Sequence, residues 1–192
     1  MFGTFIYFNW FKTNDVFEEV VDLQATSQEK FFPQIPEDWK KYRNEEYGFE
    51  VRYPQDWKIV EDRADSRIEL KKDESSVLIF PEGFATSLID AVNIKESKIV
   101  ISGKEVTIKS FLTEGGEWWA RFIRFQEYPN SWTSDNWIWI NLEIIDEKIE
   151  CAVTLPLGGE CGYGLGRKFF GTVEQAEQEV IDQILSTFKF IE

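Results

Sequence analysis

The chain has 192 residues, 43% apolar and 29% charged, with 21 basic groups against 35 acidic ones and a net charge of −14. That balance repels phosphate backbones and anionic headgroups, so it argues against nucleic acid and direct electrostatic membrane binding and leaves basic partners or cations. Histidine is absent, which removes Ser-His-Asp and Cys-His nucleophile systems, His-ligated zinc and imidazole acid–base catalysis.

The length suits one domain plus an extension. Residues 1–11 form an apolar start without the leading Lys or Arg of a signal peptide, and they are far short of the ~20 residues needed to span a bilayer. No export signal is legible as written; extracytoplasmic or membrane-anchored placement would follow if this segment were the tail of a longer anchor. Asp15 to Glu18 has the form of an N-cap with Glu at the third helical position, and Val16, Phe17, Val20 and Val21 recur at helical spacing, which predicts a helix over 15–24. Pro33 and Pro36 break the polar stretch that follows, so residues 1–44 read as apolar segment, helix and linker, and residues 45–192 as the domain.

Inside the domain the period changes to two. Tyr47, Phe49, Val51 and Tyr53 alternate with Gly48, Glu50 and Arg52 until Pro54 ends the ladder, a half-buried strand. Further strands are expected at 57–60, 67–71 and 77–80, a helical turn at 84–92, and a hairpin over 98–111 turning at Ser102-Gly103-Lys104. The segments 118–125 and 137–145 are apolar on both faces, with Trp137 and Trp139 opposite Ile138, Ile140 and Leu142. Such strands belong in the centre of a sheet covered above and below. After a turn at Asp146-Glu147-Lys148, another strand is expected over 149–155. Thr172-Val-Glu-Gln175 has the form of a capping box, and Val173, Ala176, Val180, Ile181, Ile184, Leu185 and Phe188 line one stripe, predicting a terminal helix across the sheet. Glu174 and Glu177 at its start and Lys189 beyond its end suit the helix dipole.

The chemistry-bearing groups are few. Cys151 and Cys161 do not form CxxC and cannot supply four zinc ligands; they are a disulfide if the protein is exported and two inert thiols in a cytosol. The glycine-rich run from Gly158 to Lys168 lacks Gly-Lys-Ser/Thr and has Arg167 where a dinucleotide motif needs Gly, so it reads as a connecting loop. Glu61-Asp62-Asp65, Asp73-Glu74 and Asp146-Glu147-Glu150 offer oxygen ligands to Ca²⁺ or Mn²⁺ without the periodicity of an EF-hand, and solvated turns are the default. Trp118, Trp119, Trp132, Trp137 and Trp139 would form an aromatic platform if one sheet face were open, and core if both faces are covered. Trp132, in a polar loop, is the one expected to be exposed. The candidate partner contacts are Trp132, Gly159, Tyr163, Arg167 and Lys168.

The opening residues Asn44, Glu46, Tyr47, Gly48, Phe49, Tyr53, Pro54 and Trp57, with the ending Ile184-Leu-Ser-Thr-Phe188 and Phe190, resemble the PsbP-like family. It includes the extrinsic photosystem subunit, a Ran-binding nuclear-import factor of similar fold and many bacterial envelope proteins and lipoproteins. The resemblance covers residues 39–192. It implies an α+β fold, an α-β-α sandwich with a mainly antiparallel central sheet and the C-terminal helix packed across it. It also implies a non-enzymatic binding or assembly protein of the cell envelope, since members of the family act by binding other proteins, or sometimes metal ions; no cofactor is expected, with Ca²⁺ or Mn²⁺ the alternative. The alternatives are a cytoplasmic acidic inhibitor or immunity-type protein, and a carboxylate-based enzyme.

Overall fold

The computed structural model describes residues 35–62, 64, 66–83, 93–151 and 167–191. The chain divides into two units, Met1–Phe31 and Phe32–Glu192, and every described residue belongs to the second. The expected helix over 15–24 and the turn at 84–92 lie outside the described residues.

Twelve strands and one helix are present among the described residues. β1 (Lys40–Asn44) and β2 (Phe49–Tyr53) form an antiparallel hairpin. A seven-stranded antiparallel sheet is built from β3 (Lys58–Asp62), β4 (Arg67–Lys72), β5 (Ser75–Phe80), β6 (Ile94–Ile101), β7 (Lys104–Leu112), β8 (Trp118–Arg124) and β9 (Trp137–Asn141), in the order β3-β4-β5-β9-β8-β7-β6. β10 (Ile145–Cys151) pairs only with β11 (Arg167–Thr172) among the described residues. The helix α1 (Gln175–Thr187) follows, and the short β12 (Lys189–Phe190) returns to β2.

The expected α-β-α sandwich is overturned. The described residues hold a single helix, and β structure dominates. The reason lies in the two faces of the large sheet. On one, Ile68, Leu70, Ile138, Ile140 and Ile123 meet Ile181, Ile184 and Leu185 of α1 in the main core. On the other, Phe80, Phe111, Ala120, Phe122 and Trp137 form a separate buried layer. The rings pack on one another, with Phe122 and Trp137 edge to face at 4.8 Å and Trp119 meeting Phe169 of β11 at 4.6 Å. Among the described residues, large aromatic side chains rather than a second helix bury this face, and each carries about 150–250 Å² of surface.

Local expectations differ at four places. β1 falls within the expected linker: Tyr42 and Lys40 alternate with exposed Lys41 and Arg43, and the segment pairs fully with β2. The chain leaves the sheet after Asn141 rather than at 145, since Leu142 donates its N–H to Trp119 and the backbone turns away into β10. The expected turn at 146–148 is a bulge inside β10, with Asp146 left-handed at φ 57°. The capping box does not form, because Thr172 is used in pairing with Ile145; Glu174 is the N-cap and makes no side-chain capping bond. Instead the Glu117 carboxylate accepts the Val173 N–H at 2.7 Å.

The hairpin between β6 and β7 turns at Ser102 and Gly103, with φ 55° and 73°, the left-handed pair of a type I′ turn. Two ionic joints tie elements together, one between sheet and helix and one across the three-stranded sheet. Arg121 on β8 pairs with Asp182 on α1, both largely buried, and the guanidinium lies 3.5 Å from the Trp118 ring centre. Glu50 on β2, its side chain only 8% exposed, binds Lys41 of β1 and Lys189 of β12, each at 2.7 Å. Lysine donors, Lys189 foremost and then Lys41, hold the Glu50 carboxyl at about 2.

Because that pKa is depressed in the folded state, its contribution is present above the ordinary carboxylate range and is lost as pH falls toward about 2. Glu50→Gln should therefore lower the urea midpoint at neutral pH, and the gap to the parent should close between pH ~4.5 and ~2. A gap that stays constant with pH would contradict the role given to this carboxylate.

Candidate functional site

A cleft of about 280 Å³ opens between the β1–β2 connection and the β3–β4 hairpin. Asn44, Glu46 and Tyr47 form one wall; Glu61, Asp62, Ser66, Arg67 and Ile68 form the other. The first wall is set by a short turn in which the Asn44 side chain accepts the Tyr47 N–H at 2.8 Å and Gly48 takes φ 64°. A side chain at Gly48 would also press on the Ile191 carbonyl, 3.3 Å from an added Cβ. The second wall is a hairpin end where Asp62 accepts the Ala64 N–H and Ser66 is left-handed.

The two walls are joined by Tyr42, the middle residue of β1. Its hydroxyl donates to Glu61 Oε1 at 2.7 Å and accepts from Asn44 Nδ2 at 2.9 Å. Burial above all, and then Glu61, push the Tyr42 hydroxyl up to about 12. Tyr47 is also raised, chiefly by burial, and donates to Glu82 at 3.2 Å. Arg67 reaches Asp62 at 3.3 Å. Glu46, Glu61 and Asp62 thus face one guanidinium, and the cleft carries a negative excess.

Of the acidic groups seen in the sequence, Glu61 and Asp62 meet at this cleft while Asp65 lies outside the described residues. Asp73 and Glu74 form the tight turn between β4 and β5, and Glu150 pairs with Lys148 on β10. Among the described residues no three His, Cys, Asp or Glu side chains converge as a metal site. Nothing in the sequence marked Tyr42, Asn44, Glu46, Ser66 or Arg67 as site residues, although Asn44 and Glu46 belong to the opening motif, since the cleft is assembled from two hairpins whose spacing in the chain encodes nothing about their meeting.

The expected partner contacts are dispersed. Trp132 is not exposed: it is 4% accessible, its indole N–H donates to the Tyr47 carbonyl at 2.7 Å, and its ring stands edge-on to Phe49, Phe125 and Phe190. A polar loop places it there because the loop folds inward across the end of the core. Gly159, Tyr163 and Cys161 lie outside the described residues. Arg167 opens β11, and Lys168 beside it is exposed, 3.7 Å from Glu114. Cys151 ends β10 and is disulfide-bonded. Trp118 and Trp137 are buried on opposite faces of the sheet, and Trp119 and Trp139 are half-buried beside the aromatic layer, so the tryptophans make packed layers rather than an open row.

Among the described residues no helix is long and apolar enough to cross a membrane. No family model, curated protein or solved structure matches the chain.

Replacing Glu61 by Gln removes the charge behind part of the Tyr42 shift. In an ultraviolet titration of tyrosinate, the step near pH 12 should move toward the ordinary value of ~10. A titration curve identical to that of the parent would show that the Glu61 contact does not form.

Proposed function

We propose that this chain acts by binding rather than by catalysis, as a recognition or assembly protein of an oxidising compartment such as the bacterial envelope, and that the cleft receives a cationic group of its partner. The observation that carries the reading is the charge imbalance of the cleft, where Glu46, Glu61 and Asp62 face Arg67 alone. The net charge of −14 adds a field that steers basic partners toward the surface. Catalysis is disfavoured by the same groups: a tyrosine held at about 12 is poorly matched to proton transfer near neutral pH. The disulfide state of Cys151 supports an oxidising compartment.

A Lys or Arg side chain suits the cleft because it brings several donors to carboxylates that accept only. Titrating an arginine-containing peptide into the labelled chain should shift the amide signals of 44–47 and 61–68. Glu46→Gln/Glu61→Gln should weaken binding by about tenfold or more, the ~1.4 kcal/mol scale of a charge-assisted contact. Raising the salt concentration should weaken it further. Equal binding of a glutamate-rich control peptide, or shifts confined to other surfaces, would overturn the reading.

A further inference from the structure

We infer that β6 is a self-recognition edge, through which two copies of this chain pair antiparallel and join their seven-stranded sheets. β6 is eight residues long and ends the sheet order; among the described residues nothing pairs with its outer side. Its surface is open, with Ile94 47% and Val100 66% exposed.

The backbone phase follows from the hairpin. Ile101 and Lys104 flank the two-residue turn and form a hydrogen-bonded pair, and the far end closes with the Leu112 N–H donating to Asn93 at 3.0 Å. Odd-numbered β6 residues therefore bond to β7. The N–H and C=O groups of Ile94, Glu96, Lys98 and Val100 point outward, because bonded and non-bonded pairs alternate in an antiparallel ladder. The same four side chains share one face, the face that carries Phe111 opposite Ile94.

These four residues are complementary to themselves in reverse. With the two-fold axis at Ser97, Ile94 stands opposite Val100 of the second copy and Glu96 opposite its Lys98. Both edges present bonding groups at those positions. Glu96 already pairs with Lys109 at 3.0 Å, and Lys98 with Glu105. The pairing would thus extend to an alternating row, Lys109, Glu96, Lys98, Glu105, across the axis. Sliding by two residues in one direction sets Glu96 against Glu96, and in the other Lys98 against Lys98. Sliding by one puts bonding groups out of phase and the side chains on opposite faces. One register satisfies backbone, apolar and charged groups together, as an isologous contact requires. An edge defended only by charge would have no reason to match itself in this way.

The test uses the full chain in sedimentation velocity with two single variants, Glu96→Lys and Lys98→Glu. The parent should move from the 22.6 kDa monomer toward twice that mass as concentration rises over roughly 10–200 µM, the weak regime of a small interface. Each variant alone should associate at least about tenfold less, since each places like charges opposite one another. An equimolar mixture of the two should recover association, because positions 96 and 98 are both basic in one variant and both acidic in the other, and each basic side chain then faces an acidic one. A parent that stays monomeric throughout, a dimer indifferent to both variants, or a mixture that does not associate would each overturn the inference.

Discussion

Five aromatic rings hold the domain closed, and most of what surrounds them depends on that contact. Phe49 on β2, Phe125 after β8, Trp132 in the following loop, and Phe188 and Phe190 at the end of the chain form one cluster. Phe188 stacks on Phe49 at 5.2 Å and on Phe125 at 5.6 Å, while Trp132 and Phe190 meet edge to face at 5.1 Å. Each such pair contributes ~0.5–1.5 kcal/mol beyond the area it buries. The polar bonds at the rim enforce the same arrangement: the Arg52 N–H reaches Thr187 Oγ1 at 2.8 Å, Ile191 donates to the Gly48 carbonyl at 2.9 Å, and Glu50 holds Lys189. The start and the end of the domain are thereby stitched into a single three-stranded sheet.

The cleft inherits its shape from this closure. Asn44, Glu46 and Tyr47 sit on the connection directly before Gly48 and Phe49, and the Tyr47 carbonyl is pinned by both Trp132 and Ser131. A wall so held fixes the backbone that carries Glu46, which lowers the ordering cost of recognising a cationic group there. At the opposite edge of the large sheet, β6 has a different character. Among the described residues no strand pairs with its outer side, and its specificity rests on the order of four residues.

The sequence made part of this legible. The alternation of Phe49 to Tyr53, the strand stop at Pro54, the turn at Ser102-Gly103 and the amphipathic terminal helix are local patterns, and each is present where the period placed it, although Tyr47 and Gly48, expected in that strand, belong to the turn before it. The opposed faces of β9 were also readable, since Trp137 and Ile138 do lie in separate cores. What covers those faces was not readable. An apolar strand face demands burial without specifying a helix, and here rings from neighbouring strands supply it. Trp132 shows the same limit: its polar loop neighbours suggested exposure, but a large ring with one donor is most stable where a buried carbonyl can receive that donor. Thr172 failed as a cap because strand pairing claimed it first. The cleft was the least legible element. Glu61 and Asp62 were visible as an acidic pair, yet Tyr42 and Asn44 acquire meaning only when two hairpins meet.

If the ring cluster governs closure, removing residues 188–192 should do more than shorten the chain. The truncated protein should lose its cooperative urea transition and its near-ultraviolet aromatic signal, because Phe49, Phe125 and Trp132 would face an emptied core and β2 would lose β12, one of its two partner strands. A sigmoidal transition with the midpoint and aromatic signal of the full chain would contradict the account.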